Sequence, residues 1–155
     1  MYYTFIIRRA EVSDAESLHE ILQTAFQEYA NATGQKTLEA LSETTETVKQ
    51  EIIDKPVYVA EIDGQIVGTV RLEIHGEEAY LSRFAVSGST RNIGIGKSLM
   101  NVVDKHLAST GVKRVTLHTS SRHFALVRFY YSRGFFTEAI ETDRGYLRAR
   151  MVKEY

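Results

Sequence analysis

The stretch from Ala79 to Leu107 constrains the fold of this chain more than any other. It reads AYLSRFAV, then SGSTR, then NIGIGKSLMNVVDKHL. An apolar strand feeds a loop with Gly94 and Gly96 one residue apart. The loop opens directly into a helix whose positions Ile95, Leu99, Val102, Val103 and His106 or Leu107 share one face. The first N–H groups of a helix have no intrahelical partner, and the helix dipole adds partial positive charge there. Strand, glycine loop and helix start together therefore make an anion site, with phosphate as the natural guest. A side chain at Gly94 or Gly96 would hold phosphate oxygens off the backbone, and glycine also tolerates the dihedrals of a tight turn. Arg91 and Lys97 flank the turn with positive charge.

Two familiar phosphate-binding patterns do not fit. A dinucleotide fold needs G-x-G-x-x-G, whereas the order here is Arg91-x-x-Gly94-x-Gly96. A P-loop ends as Gly96-Lys97-Ser98 does, but Arg91 stands where its first glycine belongs, and no later strand ends in an obvious magnesium-binding Asp.

The rest of the chain reads as one domain. At 155 residues, 43% hydrophobic and 25% charged, it is long enough for one sizeable core. A net charge of −1 gives no electrostatic case for nucleic acid or an anionic membrane surface. Cysteine is absent, which excludes disulfides, thiolate metal sites and a cysteine nucleophile. His19, His75, His106, His118 and His123 show no metal-binding pairing, so no metal is expected. The start, MYYTFIIRRAEV, has too short an apolar run for a signal peptide or a membrane span. A soluble, cytoplasmic protein is the expectation.

Tyr3 to Ile7 reads as a strand, and Ser13-x-x-Glu16 as a capping box opening a helix with Leu18, Ile21, Leu22, Ala25, Phe26 and Tyr29 on one stripe. Periodicity is lost from Ala30 to Thr44. A short helix resumes near Thr45 with Val48, Ile52 and Ile53 inward, and Pro56 ends it. Strands Val57–Ile62 and Ile66–Ile74 flank the hairpin signal Asp63-Gly64, and a turn at Gly76 leads to Ala79–Val86. After the glycine-loop helix, Gly111 marks a stop. Lys113–Thr119 follows as a strand parallel to Ala79–Val86, because a helix separates the two. A helix over Phe124–Ser132 and strands Phe135–Ile140 and Tyr146–Val152 complete the chain, and the last two strands offer an edge through which two copies could pair as a homodimer. The fold class is mixed α/β (α+β), a mostly antiparallel sheet with helices on both faces.

The pattern R-x-x-G-x-G after LSRFAV resembles the acyl-CoA-binding signature of the GNAT superfamily of N-acetyltransferases, [QR]-x-x-G-x-[GA] at a helix start. Ala125 to Phe135, A-L-V-R-F-Y-Y-S-R-G-F, resembles that family's second signature around its F-Y-x-x-x-G-F segment. Both occur in the family's order, and the order of elements along essentially the whole chain is the one the family implies. The resemblance implies a single domain over residues 1–155 with a seven-stranded sheet and two central parallel strands. It implies acetyl-CoA as cosubstrate, held by the backbone of Arg91, Asn92, Ile93, Gly94, Ile95, Gly96, Lys97 and Ser98. Many relatives carry Asn just upstream of the second signature; His123 stands there, as a CoA-arm ligand or as an ordinary polar helix start.

The implied reaction is transfer of an acetyl group to a primary amine of a small molecule or peptide. A lysine-like amine with pKa ~10.4 is mostly protonated at neutral pH, so its proton must be accepted before it attacks, and the departing thiolate, with basicity near 8.5, gains from a donor. By resemblance Tyr130 is the general acid, the alternative being a core tyrosine. Phe84, Ala85 and Val86 would free backbone groups for the thioester carbonyl at a bulge. Glu73 is a candidate base, with Arg83 and His118 also facing the acceptor cleft and a base acting through ordered water left open. Tyr29 to Thr47 would line the acceptor pocket, where Tyr29 and Glu43 are named; Glu39, Glu43 and Glu46 make it acidic, which suits a cationic amine or is simply a solvated loop. A CoA-binding sensor without turnover and a phosphate-loop nucleotide hydrolase are the other functions the same residues would serve.

Overall fold

The structure, a computed structural model, describes residues 4–36 and 38–155. Tyr3, the expected start of the first strand, lies outside the described residues; β1 spans Ile6–Arg9. A 3-10 turn at Val12–Asp14 leads into α1, Ala15–Thr33. The expected Ser13–Glu16 box is not what opens this helix. The Glu11 N–H donates to Asp14 Oδ2 at 2.7 Å, and Arg8 Nη1 holds the same oxygen at 2.7 Å. The arginine fixes this carboxylate, so the acid beside it, not the serine, organises the entry.

A short α2, Glu39–Ser42, precedes α3, Thr45–Asp54, which is capped by Thr44 Oγ1 accepting from the Thr47 N–H. Val48 and Ile52 are buried, but Ile53 is 63% exposed rather than inward. The i, i+4 pair already defines the buried face, and Ile53 lies about 100° away from Ile52 around the helix. β2 (Val57–Ile62), β3 (Gln65–His75) and β4 (Glu78–Val86) are successive antiparallel strands. α4 (Ile95–Ser109) then crosses to β5 (Arg114–Ser120), parallel to β4, and α5 (Phe124–Ser132), β6 (Phe136–Glu141) and β7 (Arg148–Glu154) complete the chain.

The sheet has seven strands in the order β1-β2-β3-β4-β5-β7-β6. Because β7 inserts between β5 and β6, only β6 of the last two strands is an edge. Val59 and Ala60 are adjacent on β2, both fully buried, and belong to opposite faces, as strand alternation requires. On one face Leu99, Met100, Val103 and Leu107 of α4 pack over Val70, Leu72, Leu81 and Leu117. On the other, Leu18 and Leu22 of α1 and Val48 and Ile52 of α3 pack over Val57, Val59 and Ala85. Among the described residues no helix is long and apolar enough to cross a membrane.

One buried ion cluster ties these layers together. Glu43, between α2 and α3, accepts from Arg71 Nη1 on β3 at 2.9 Å and from Arg83 Nε on β4 at 3.0 Å. Burial pushes the Glu43 carboxyl up, but the two guanidiniums outweigh it and hold the group below the ordinary carboxylate range. A depressed carboxyl pKa contributes stability above its unfolded value, which is lost as pH falls through the folded one. Replacing Glu43 with Gln strands two guanidiniums, and should lower the unfolding free energy at pH 7 by about 3–5 kcal/mol. Urea titration measures this; the deficit should shrink below about pH 4, and a neutral effect at pH 7 would contradict the account.

Candidate functional site

β4 and β5 pair only at their beginnings, Glu78–Tyr80 against Arg114–Thr116. The cause is visible on the other side of β4. Thr69 of β3 faces Ala85 and Arg71 faces Ser82, so β4 spends three residue steps where β3 spends two. The extra residue is a bulge with Arg83 at φ +52°, in the left-handed region that a non-glycine residue rarely occupies. The bulge bends β4 away from β5. The Ser87 N–H donates to Val67 O at 2.8 Å. By ladder alternation Ala85 then turns its peptide groups toward β3, while Phe84 and Val86 turn theirs toward the gap.

A cavity of about 880 Å³ occupies the gap and runs to the start of α4. Gly94 caps that helix at φ +89° with no side chain satisfying the first turn. The Ser98 N–H is taken by Gly94 O at 3.0 Å, which leaves the N–H groups of Ile95, Gly96 and Lys97 without an intrahelical partner. The two glycines are required for different reasons, neither being ligand clearance alone. A Cβ on Gly94 would meet nothing within 4 Å, so its backbone angle is what demands glycine; one on Gly96 would lie 3.2 Å from Phe84 Cζ. Gly96 thus lets α4 seat against the bulged strand.

Arg91, Asn92, Gly94, Ile95, Gly96 and Lys97 line the cavity. Ile93 packs into the core, and Ser98 lies inside the first turn, away from the lining. Arg91 Nη2 donates to Glu28 Oε2 at 2.9 Å, tethering the loop to α1. His123 caps α5, its Nδ1 accepting from the Leu126 N–H at 3.3 Å, while its ring stacks on Tyr29 at 5.7 Å. The hydroxyl oxygen of Tyr29 accepts from the Ser120 N–H at 2.7 Å, which ties α1 to the end of β5. Tyr130 is 5% exposed, lines the cavity and meets Phe84, Phe129 and Phe135 edge-on. Burial pushes its phenol well above the ordinary value, so it keeps its proton.

Phe84, Ala85, Val86, Arg83 and His118 also line the cavity, but Glu73 and Glu43 do not. Glu73 sits on β3, one strand further from the gap, 3.2 Å from His75 Nε2 and 4.0 Å from Lys55 Nζ. Glu43 is committed to its two arginines. The acidic character expected of the acceptor segment is neutralised throughout, since Glu39 pairs with Arg144 at 3.2 Å and Glu46 with Lys49 at 3.2 Å. Among the lining residues that the sequence did not single out are Tyr80, Arg144, Tyr146 and Arg148. The Tyr80 hydroxyl lies 2.6 Å from His118 Nδ1, and His118 Nε2 lies 3.3 Å from Glu141 Oε2, off the line of a well-formed hydrogen bond. Burial lowers the His118 pKa, with Glu141 opposing, so the ring is neutral at pH 7. Tyr80 faces Thr116 across the parallel pair, two residues from His118 on the same side of β5; once that register is assumed, the pairing can be read from AYLS and RVTLHTS.

A strand that parts from its parallel neighbour beside a glycine-loop helix with free first-turn N–H groups is a geometry suited to a phosphate-bearing ligand. The model of the acetyltransferase (GNAT) family matches residues 15–135, and the chain belongs to that family of acyl-CoA-dependent acetyltransferases. No curated relative matches it in sequence. Among solved structures it is similar to the PaiA N-acetyltransferase of Thermoplasma acidophilum in complex with coenzyme A, at 22% identity over 98% of this chain and 99% of that one, with a TM-score of 0.86. It is also similar to the ribosomal-protein-S18-alanine N-acetyltransferase of Escherichia coli, at 19% identity over 97% and 94%, TM-score 0.79. A third is YncA of Salmonella typhimurium with acetyl-CoA, at 17% identity over 97% and 94%, TM-score 0.77.

An NMR pH titration of the His118 ring should place its midpoint below the ordinary ~6.5. Glu141→Gln should lower it further, because the carboxylate favours the imidazolium. A midpoint above the ordinary value, or an upward shift in the variant, would contradict this electrostatic picture.

Proposed function

We propose that this chain transfers the acetyl group of acetyl-CoA to a primary amine, by direct attack with both substrates bound. The observation that carries this reading is that one cavity joins the free N–H groups at the start of α4, the parted strands β4 and β5, and Tyr130. The CoA and acetyl-CoA complexes of similar structures support it, as does the action of the Escherichia coli enzyme on an alanine of a ribosomal protein.

The donor set suits such a ligand: three unpartnered N–H groups, Lys97 and Arg91 for a pyrophosphate, and a Gly96 without a side chain where the helix meets β4. Acetyl-CoA supplies the acetyl thioester. The peptide groups of Phe84 and Val86 that face the gap would orient and polarise its carbonyl. Holding amine and thioester together contributes up to ~7–11 kcal/mol in well-oriented cases.

Proton movements fall to Tyr80, His118 and Tyr130. With Nε2 facing the Glu141 carboxylate, the neutral His118 carries its proton there, and Nδ1 accepts from the Tyr80 hydroxyl. The amine gives its proton to the Tyr80 oxygen as the Tyr80 proton passes to Nδ1, and Glu141 stabilises the imidazolium that results. Tyr130, kept protonated by burial, donates to the departing sulfur. This relay takes the place of Glu73, which stands outside the cavity.

Release of free thiol from acetyl-CoA in the presence of an amine tests the function. Tyr130→Phe should lower kcat by about 10²- to 10⁴-fold with acetyl-CoA affinity, read by calorimetry, unchanged. Tight acetyl-CoA binding with no turnover on any amine, and Tyr130→Phe indistinguishable from the native chain, would instead indicate a sensor. Binding of ATP with magnesium in place of acetyl-CoA would return the glycine loop to a nucleotide site.

A further inference from the structure

Five arginine or lysine side chains and two glutamates, Glu28 and Glu39, line the cavity. Arg83, Arg144 and Arg148 all border it, and all three act on the Tyr80 hydroxyl electrostatically. Arg83 is engaged through Nε by Glu43, and Arg144 by Glu39. Arg148 is different. It is 8% exposed, its Nε has no hydrogen-bond partner, and its Nη2 reaches only Glu141 at 3.5 Å and Asp143 at 3.3 Å. Glu141 is itself drawn to Arg150 Nη1 at 2.6 Å. A buried guanidinium with an unpartnered donor is costly, and the two carboxylates at 3.3 and 3.5 Å engage Nη2 alone.

Register places this guanidinium close to the relay. Arg148 pairs with Ser120 and Arg150 with His118 across β5 and β7, so Arg148 and His118 are diagonal neighbours, whose Cα atoms typically lie ~7–8 Å apart. Phe26, Tyr29 and Tyr146 add aromatic surface to the same lining. Together these groups offer an anion site and an apolar surface within reach of the proton-accepting Tyr80.

Resting on the acetyltransferase reading, we infer that the acceptor is a small amine that itself carries a carboxylate, a free amino acid, with Arg148 binding the carboxylate and the aromatic wall the side chain. The guanidinium fork matches a carboxylate with paired hydrogen bonds.

The test compares free amino acids with their own carboxamides as acceptors, following thiol release from acetyl-CoA, with acetyl-CoA binding measured separately by calorimetry. At least one free amino acid should exceed its carboxamide in kcat/KM by about 10- to 100-fold, the size of one charge-assisted paired contact. Arg148→Met should shrink that preference mainly by raising KM for the free acid; its acetyl-CoA affinity reports whether the variant is folded, and the native comparison stands even if it is not. Carboxamides or polyamines accepted as well as or better than free amino acids would overturn the inference. So would acetyl-CoA binding with no acetylation of any free amino acid, an outcome that leaves the acetyl-CoA site standing. No acetyl-CoA binding at all would overturn the function beneath it as well.

Discussion

The Glu43 carboxylate, shared by Arg71 and Arg83, is the interaction on which the rest of the structure depends. Arg83 is the residue that β4 holds in a left-handed conformation, and its Nε is anchored to Glu43 at 3.0 Å. Without that anchor a non-glycine residue would relax toward ordinary strand angles, at a gain of roughly 1–2 kcal/mol in backbone energy. The pair thus stabilises the bulge, the bulge parts β4 from β5, and the gap becomes the cavity. The same carboxylate fastens the α2–α3 junction over the sheet, so the wall of the site and its floor are set by one cluster.

Around this frame the two ends of the cavity divide the chemistry. The loop end offers backbone N–H groups and the exposed Arg91 and Lys97, suited to phosphates that remain half in water. The inner end holds Tyr130 buried and Tyr80 and His118 half-buried, where burial raises both phenols and lowers the imidazole. All three are therefore neutral at pH 7, which lets one tyrosine give a proton while another passes one to His118. Putting charge-bearing catalysts there would cost more than these neutral groups do.

Much of this was legible in the sequence. Periodicity and turn residues locate β2, β3, β4, α4 and β5 to within a residue or two, because local hydrophobic pattern and hairpin chemistry dominate there. The glycine loop is equally local, whereas Tyr130 was singled out by resemblance to the family's second signature. What escaped depends on pairings between distant segments. The family resemblance implied a bulge at Phe84 to Val86, but nothing in the residues around Arg83 signals one; it arises from register against β3 and a carboxylate forty residues earlier. Glu43 reads as a solvated acid until Arg71 and Arg83 are beside it. Ser13 was a good cap locally but lost to Asp14, which Arg8 holds. β7 slips between β5 and β6, and this order brings Arg148 and Glu141 to His118.

The most direct measurement is the change in backbone amide NMR shifts as acetyl-CoA is added. The account predicts the largest changes at Ile95, Gly96 and Lys97, where free N–H groups meet the phosphates, and at Phe84 and Val86, whose amides face the gap. Changes confined to other surfaces, or none at these amides while the ligand binds, would contradict it.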